Sequence, residues 1–340
     1  MTEQAIARND AQAAADRFLA LNSGNLASYL ESCVRCGLCA TACHFYEVTG
    51  DPKYTPAYKL FPMAKAHRKT VWPWKWFGGP KITEADLQEW EELLFDSCTM
   101  CGRCSMVCPV GNDIAYMVRK AREGMVAAGQ APEGLIGASQ RAVRIGSPMG
   151  LTIKALTAQL SNIEKQTGLQ IPLDVEGADY LALLSSMEII NFPEYIESLA
   201  RIFRHAGVSW TLCSEAFEAT NSGVQIGSSD IARELVQRVV TGAERLKVKY
   251  VISPECGHAY MAVRWDGPNL IGRPYTFEVV HITEYLESLV REGKIKPGRT
   301  SEMKVTYHDP CHLGRQSDPF IPWEGTRGDY GRCTPPKELR

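Results

Sequence analysis

No stretch of this 340-residue sequence reaches the roughly 18 consecutive apolar residues of a membrane-spanning helix. The longest candidate, residues 181–190, is broken by serines and Glu188. An intrinsic membrane span is therefore not expected. An apolar leader is missing too. The opening MTEQAIARNDAQAAADRF carries charges throughout, so it has no signal-peptide core and points to a cytoplasmic chain. The first cysteine stands at position 33, too far along for a lipoprotein anchor. Charge of one sign is not in excess either. Lys and Arg number 37 and Asp and Glu 39, a net −2, which argues against a nucleic-acid partner. Wholesale disorder is excluded by a hydrophobic content of 45% against 22% charged residues. The length suits about two domains, each able to bury a core.

What is abundant is cysteine: 12 residues, eight of them between Cys33 and Cys108. Without a leader, that clustering points to a reducing compartment and metal ligation in place of disulfides. The first run reads Cys33-Val34-Arg35-Cys36-Gly37-Leu38-Cys39-Ala40-Thr41-Ala42-Cys43. The second reads Cys98-Thr99-Met100-Cys101-Gly102-Arg103-Cys104-Ser105-Met106-Val107-Cys108-Pro109. Both follow the C-x2-C-x2-C-x3-C rhythm of [4Fe–4S] ferredoxins, in which the fourth cysteine of each run serves the other cluster. The spacing thus assigns Cys33, Cys36, Cys39 and Cys108 to one cube, and Cys98, Cys101, Cys104 and Cys43 to a second. Zinc would favour two separate C-x2-C pairs. Gly37 and Gly102 occupy equivalent positions, where the backbone must curl closely and donate N–H groups to sulfide. His44 stands where the second run has Pro109. Two cubes in one domain make a one-electron wire.

The spacer between the runs is long and aromatic, with Tyr46, Tyr54, Tyr58 and then Trp72-Pro73-Trp74-Lys75-Trp76-Phe77. Two readings stay open for the tryptophans: a core wrapped around the clusters, or a docking surface for a partner or membrane interface. Residues 82–95 read as a helix with Thr83 at its N-cap ahead of Glu84 and Asp86. Further helices are expected over 112–128, 131–145 and 151–165, giving a mainly helical domain over residues 1–170. A boundary follows at 168–177.

Beyond it strand and helix alternate. Strands are expected at 180–184, 210–213, 249–253 and 304–307, and helices at 193–205, 231–246 and 281–292. This is the pattern of a parallel α/β sheet, filling residues 178–340. Cys213, Cys256 and Cys311 each fall at or after a strand end, where ligands bind in such sheets. They either converge on one site or are inert buried thiols.

Four segments carry a family likeness: Trp210-Thr211-Leu212-Cys213-Ser214-Glu215, Ser253-Pro254-Glu255-Cys256-Gly257-His258, Gly267-Pro268-Asn269-Leu270-Ile271-Gly272-Arg273-Pro274 and His308-Asp309-Pro310-Cys311-His312-Leu313-Gly314-Arg315. With the paired ferredoxin runs, the chain resembles the heterodisulfide reductase D-type subunits and their DsrK-like relatives. These join a dicluster ferredoxin domain to a cysteine-rich CCG domain. The resemblance implies an additional, noncubane [4Fe–4S]-type centre performing disulfide or persulfide redox chemistry. Cys256 and Cys311 match family cysteines, Cys213 is a further candidate, and His258 and His312 stand beside them as proton carriers or structural partners. A full member carries a Cys-Cys-Gly motif after the Asp-Pro-Cys-His segment, and no Cys-Cys pair occurs in this sequence. The CCG-type domain therefore reads as partial, either completed by a companion chain or shortened. Cys333 matches no family ligand.

The implied role is electron transfer, through two [4Fe–4S] clusters, to or from a sulfur redox site in a heterodisulfide reductase-like or Dsr-type complex. Implied partners are other subunits, a flavin or membrane cytochrome subunit among them, and a small sulfur substrate or carrier protein. Membrane association would be peripheral, through those partners. The alternative is a non-catalytic electron-transfer and scaffolding subunit whose CCG remnant is a partner interface.

Overall fold

The computed structural model describes residues 10–317 apart from Asn22, Glu255 and Asp309, together with the backbone of residues 326–327 and 333–334. Its N-terminal part is helical. The Ile114–Ala127 helix is the spine, and the Ala11–Ala20 helix packs along it. Close approach is possible because Gly124 faces the Phe18 ring, where a Cβ would sit 2.1 Å from ring carbon. Phe18 in turn meets Trp90 edge-on, with centroids 6.1 Å apart. Leu87, Leu93, Leu94, Met117 and Met125 complete this buried core. Thr83 and Asp86 form a reciprocal capping box that starts the Glu84–Glu91 helix, as the sequence predicts. That helix ends in a π-helical turn, Glu92–Asp96, which delivers the chain to Cys98.

The second part is a four-stranded parallel sheet: β1 (Tyr180–Ala182), β2 (Trp210–Thr211), β3 (Tyr250–Ser253) and β4 (Glu278–His281), in the order β2-β1-β3-β4. Tyr180 sits opposite both Trp210 and Tyr250, and Tyr250 opposite Glu278. Helices cover both faces, as a parallel sheet requires. The Ser229–Arg245 helix buries Val236, Val239 and Val240 in one core with Leu181 and Val251. On the other face, the Ile153–Thr167, Pro193–Ala206 and Ile282–Arg291 helices gather Leu160, Phe203 and Leu289 with Ala182, Leu184 and Ile252. Ile153–Thr167, which the sequence assigns to the helical part, is thus packed with the sheet.

Two departures concern strands. β4 is absent from the sequence reading, where His281 begins a helix. In the structure His281 closes β4 and caps the helix that follows, its Nδ1 accepting from the Thr283 N–H at 3.2 Å. Conversely, residues 304–307 form no strand, and Val305 and Tyr307 are 78% and 84% exposed. An alternating apolar pattern makes a strand only where a neighbour offers free backbone groups. Part of the expected 178–340 domain lies outside the described residues. There, only the antiparallel backbone pairing of Thr326–Arg327 with Cys333–Thr334 is described.

Glu218 is buried where Ser186 and Ser147 donate hydroxyl hydrogen bonds to its carboxylate. Burial raises its pKa above the ordinary glutamate value. The native state therefore holds this proton more tightly than the unfolded state does. Its contribution to stability is complete below the ordinary glutamate pKa and is lost as pH climbs through the folded value. E218Q is expected to flatten that decline, read as urea midpoints for both proteins at about pH 5 and about pH 8.

Candidate metal centres

The two cysteine runs fold into the same turn twice. Arg35 and Met100, the residues before the second cysteine of each run, have φ of 55° and 53°. Gly37 and Gly102, the residues after it, have φ of 80° and 78°. Two left-handed residues flanking one cysteine curl the backbone, and only glycine adopts that conformation without cost. The curl aims N–H groups inward: the Met100 N–H donates to Cys98 Sγ at 3.4 Å. The helical turn after each glycine, Leu38–Ala42 in one run and Arg103–Met106 in the other, packs against its counterpart.

Between the runs lies a cleft partly open to solvent. Its wall carries Cys98, Cys101 and Cys104 from the second run and Cys43 from the first. Apolar groups supply much of the rest, among them Phe45, Met100, Ile114 and Val118. Burial and the neighbouring thiols push the Cys104 thiol up to about 12. Cys39 is raised by burial, with smaller contributions from Cys33 and Cys36. Cys108 packs at the edge of the helical core. Among the described residues, no three Cys, His, Asp or Glu side chains converge closely enough for a single metal ion. Four soft thiols spread over one cleft fit a multi-iron cluster better than a zinc site.

Lys59, which the sequence reading passes over, is buried beside this cleft. Its ammonium donates to the Ser97 carbonyl and lies 4.0 Å from Cys43 Sγ. A buried cation here offsets the negative charge of ligating thiolates. Arg122 is a second unanticipated cation. Its guanidinium donates to three carbonyls: Leu94 at 2.8 Å, Cys98 at 2.6 Å and Gln225 at 2.6 Å. It thereby ties the second cysteine run to the sheet-bearing part. Burial pushes its pKa down to about 10, leaving it charged at neutral pH. Nothing in the local sequence around Arg122 separates it from a solvent-facing helix arginine.

Cys256 and Cys311 come from neighbouring turns. Cys256 precedes the short Gly257–Tyr260 helix beyond the carboxyl end of β3, and Cys311 opens the π-helical turn Cys311–Arg315. Gly257 lets the two turns touch, since a Cβ there would lie 2.9 Å from the Leu313 nitrogen. The His258 and His312 rings stack with centroids 3.7 Å apart, and His312 Nδ1 lies 3.2 Å from Cys311 Sγ. Burial, with Arg122 and Arg119 nearby, lowers His258 to about 4. Burial, His258 and the same arginines lower His312 to about 3. Both imidazoles are therefore neutral hydrogen-bonding groups near pH 7.

Cys213 is elsewhere. It is fully buried just after β2, against Gly242 and Arg245 in the last turn of the Ser229–Arg245 helix. That turn leads into the start of β3, whereas Cys256 follows its end, so the structure does not bring Cys213 to the other two. The side chain of Cys333 lies outside the described residues.

The Cys311 turn is latched to the second cysteine run. Arg315 donates to the Cys101 carbonyl at 2.9 Å, and Gln316 donates to the Met100 carbonyl. Gln316 also packs on Gly102, where a Cβ would come within 3.2 Å of its side chain.

A helical two-cluster turn pair bonded directly to a thiol-bearing parallel sheet defines an iron–sulfur electron-transfer protein. The comparisons agree. A family model described as a 4Fe-4S dicluster domain matches residues 29–112. The chain is 30% identical to the D-type subunit of the dihydromethanophenazine:CoB–CoM heterodisulfide reductase of Methanosarcina acetivorans, over 86% of this chain and 71% of the relative. It is 28% identical to an Hdr-like menaquinol oxidoreductase iron-sulfur subunit of Archaeoglobus profundus, over 84% and 60% respectively. An EtfAB:quinone oxidoreductase of Syntrophomonas wolfei is also 28% identical, over 85% of this chain and 43% of the relative. No solved structure matches. The chain belongs to the family of heterodisulfide reductase D-type subunits, and it spans about 60% to 71% of the length of the first two relatives. Among the described residues, no helix is long and apolar enough to cross a membrane.

Proposed function

We propose that this chain passes single electrons between two [4Fe–4S] clusters and a sulfur redox centre begun by Cys256 and Cys311, within a multi-subunit heterodisulfide reductase-like complex. Cys33, Cys36, Cys39 and Cys108 would hold one cluster, and Cys98, Cys101, Cys104 and Cys43 the other. When bound, such clusters supply one-electron carriers, which divides a two-electron disulfide or persulfide conversion into single steps. The observation that carries this reading is the pair of hydrogen bonds from Arg315 and Gln316 to the Cys101 and Met100 carbonyls. They hold the Cys311 turn against the ligand loop of the second cluster, so the two redox sites share backbone contacts.

The chain's own groups have defined parts in this scheme. Arg122 and Lys59 place buried positive charge beside the second ligand set, which favours its reduced, more negative state. His312 holds a hydrogen bond at Cys311 Sγ, and its neutral ring gives the thiol a partner that does not compete for the proton at neutral pH. The family resemblance assigns the remaining thiols of the sulfur centre to a Cys-Cys-Gly segment.

Iron and acid-labile sulfide analysis under anaerobic conditions tests the reading. About twelve irons per copy of this chain in the complex purified with its partner subunits, falling to about eight in Cys256→Ala or Cys311→Ala with both cube signals intact, is the expected result. About eight irons in all, unchanged in both variants, would support the scaffolding reading. The exposed Val305 and Tyr307 favour that reading independently, because they leave apolar and aromatic surface open to a partner. Zinc in place of iron would overturn both.

A further inference from the structure

We propose that residues 68–79 form a membrane-surface anchor that seats its indole rings in the headgroup layer of an anionic bilayer. The segment is an ordered flap. Its ends meet where Gly79 approaches Lys69 so closely that a Cβ would lie 2.8 Å from the Lys69 Cα. Inside it, Val71 donates to the Arg68 carbonyl, Lys75 to Val71, Trp76 to Pro73 and Gly79 to Trp74, at 3.0–3.4 Å. A single helical turn, Trp74–Phe77, ends at Gly78 with φ of 75°.

That order is not obtained by burying apolar surface. Trp72, Trp74, Trp76 and Phe77 are 77%, 52%, 81% and 82% exposed, so these tryptophans wrap no cluster and fill no core. By contrast Trp90 and Trp210 are buried. Four adjacent exposed aromatic residues mark an interaction surface.

The charges around them select the occupant. From residue 65 to residue 83 the sequence has Lys65, Arg68, Lys69, Lys75 and Lys81 and no Asp or Glu. Lys65 pairs with Asp86, while Arg68, Lys69, Lys75 and Lys81 make no ion pair among the described residues. A protein–protein patch of this kind would be depleted of lysine at its centre. Tryptophan interleaved with lysine suits the bilayer interface, where indoles sit among the headgroups and ammonium groups reach anionic phosphate. Each unpaired cation near such a surface adds electrostatic attraction, and the aromatic rings add apolar burial to it. The two contributions together meet the requirement of two signals for stable peripheral binding.

Flotation of the full chain with vesicles tests this, using phosphatidylcholine alone and phosphatidylcholine with about 30% phosphatidylglycerol. The chain is expected to float with the anionic vesicles, with a blue-shifted indole emission, and to partition at least about tenfold less onto the neutral ones. The triple substitution Trp72→Ser, Trp74→Ser and Trp76→Ser should reduce anionic partitioning by about tenfold or more, as should Lys69→Glu with Lys75→Glu. All five side chains lie on the flap, so cluster content should be retained in both variants. Failure of the unaltered chain to bind anionic vesicles would overturn the proposal. Equal binding by the unaltered chain and both variants would do the same.

Discussion

Cys43→Ser is expected to remove the cluster of the other cysteine run, lowering iron by about four per chain, while the cluster beside Cys33 survives. Cys43 stands on the wall of the cleft that carries Cys98, Cys101 and Cys104, and among the described residues no other thiol lines that wall. A cube held by three thiolates with one corner open to solvent is prone to lose iron. The reciprocal variant, Cys108→Ser, should spare that cluster and remove the one assigned to Cys33, Cys36 and Cys39. Electron paramagnetic resonance of the reduced proteins distinguishes the two, because each variant should retain a different cube signal. If Cys43→Ser and Cys33→Ser abolish the same signal, the crossed ligation is wrong and each run serves its own cluster.

The second large effect is expected at Arg122. Arg122→Met keeps much of the buried volume and removes the guanidinium, leaving the carbonyls of Leu94, Cys98 and Gln225 without their donor. Each orphaned buried carbonyl costs about 1–3 kcal/mol, so a loss of about 3 kcal/mol or more is expected, read from the urea midpoint at constant m. One of those carbonyls belongs to the first cysteine of the second run and another to the sheet-bearing part. The variant should therefore also shift the potential of the second cluster downward, since a positive charge that favours the reduced state is gone. Arg122→Lys retains the charge but not the three-way fork, so it should recover more of the potential than of the stability. An unchanged midpoint in Arg122→Met would show that the fork contributes nothing to holding the two parts together.

Legibility in the sequence varies element by element. The two C-x2-C-x2-C-x3-C runs, the Thr83 cap and the helix expected over 231–246, which is Ser229–Arg245 in the structure, are local patterns. β4 escapes a sequence reading because Val279 and Val280 are too short a run to separate from the helix after His281. Residues 304–307 mislead because alternation describes a side-chain pattern, while pairing depends on a neighbour. The exposure of Trp72, Trp74 and Trp76 is likewise undecidable from sequence, as apolar residues look the same in a core and on a docking face.

By itself, then, the sequence determined the family, the ferredoxin rhythm and the alternation behind the parallel sheet. All of these rest on spacings within a few tens of residues, where chain geometry translates directly into pattern. Only the tertiary structure decided which thiols share a cleft and that Cys213 stands apart from Cys256 and Cys311. It alone revealed that Arg122, Lys59, Arg315 and Gln316 surround the second cysteine run. Those relations link residues as much as about 200 positions apart, through backbone carbonyls that carry no residue-specific signature. A hydrogen bond to a carbonyl can be made to any residue, so nothing in the sequence at Cys101 or Met100 announces its partner.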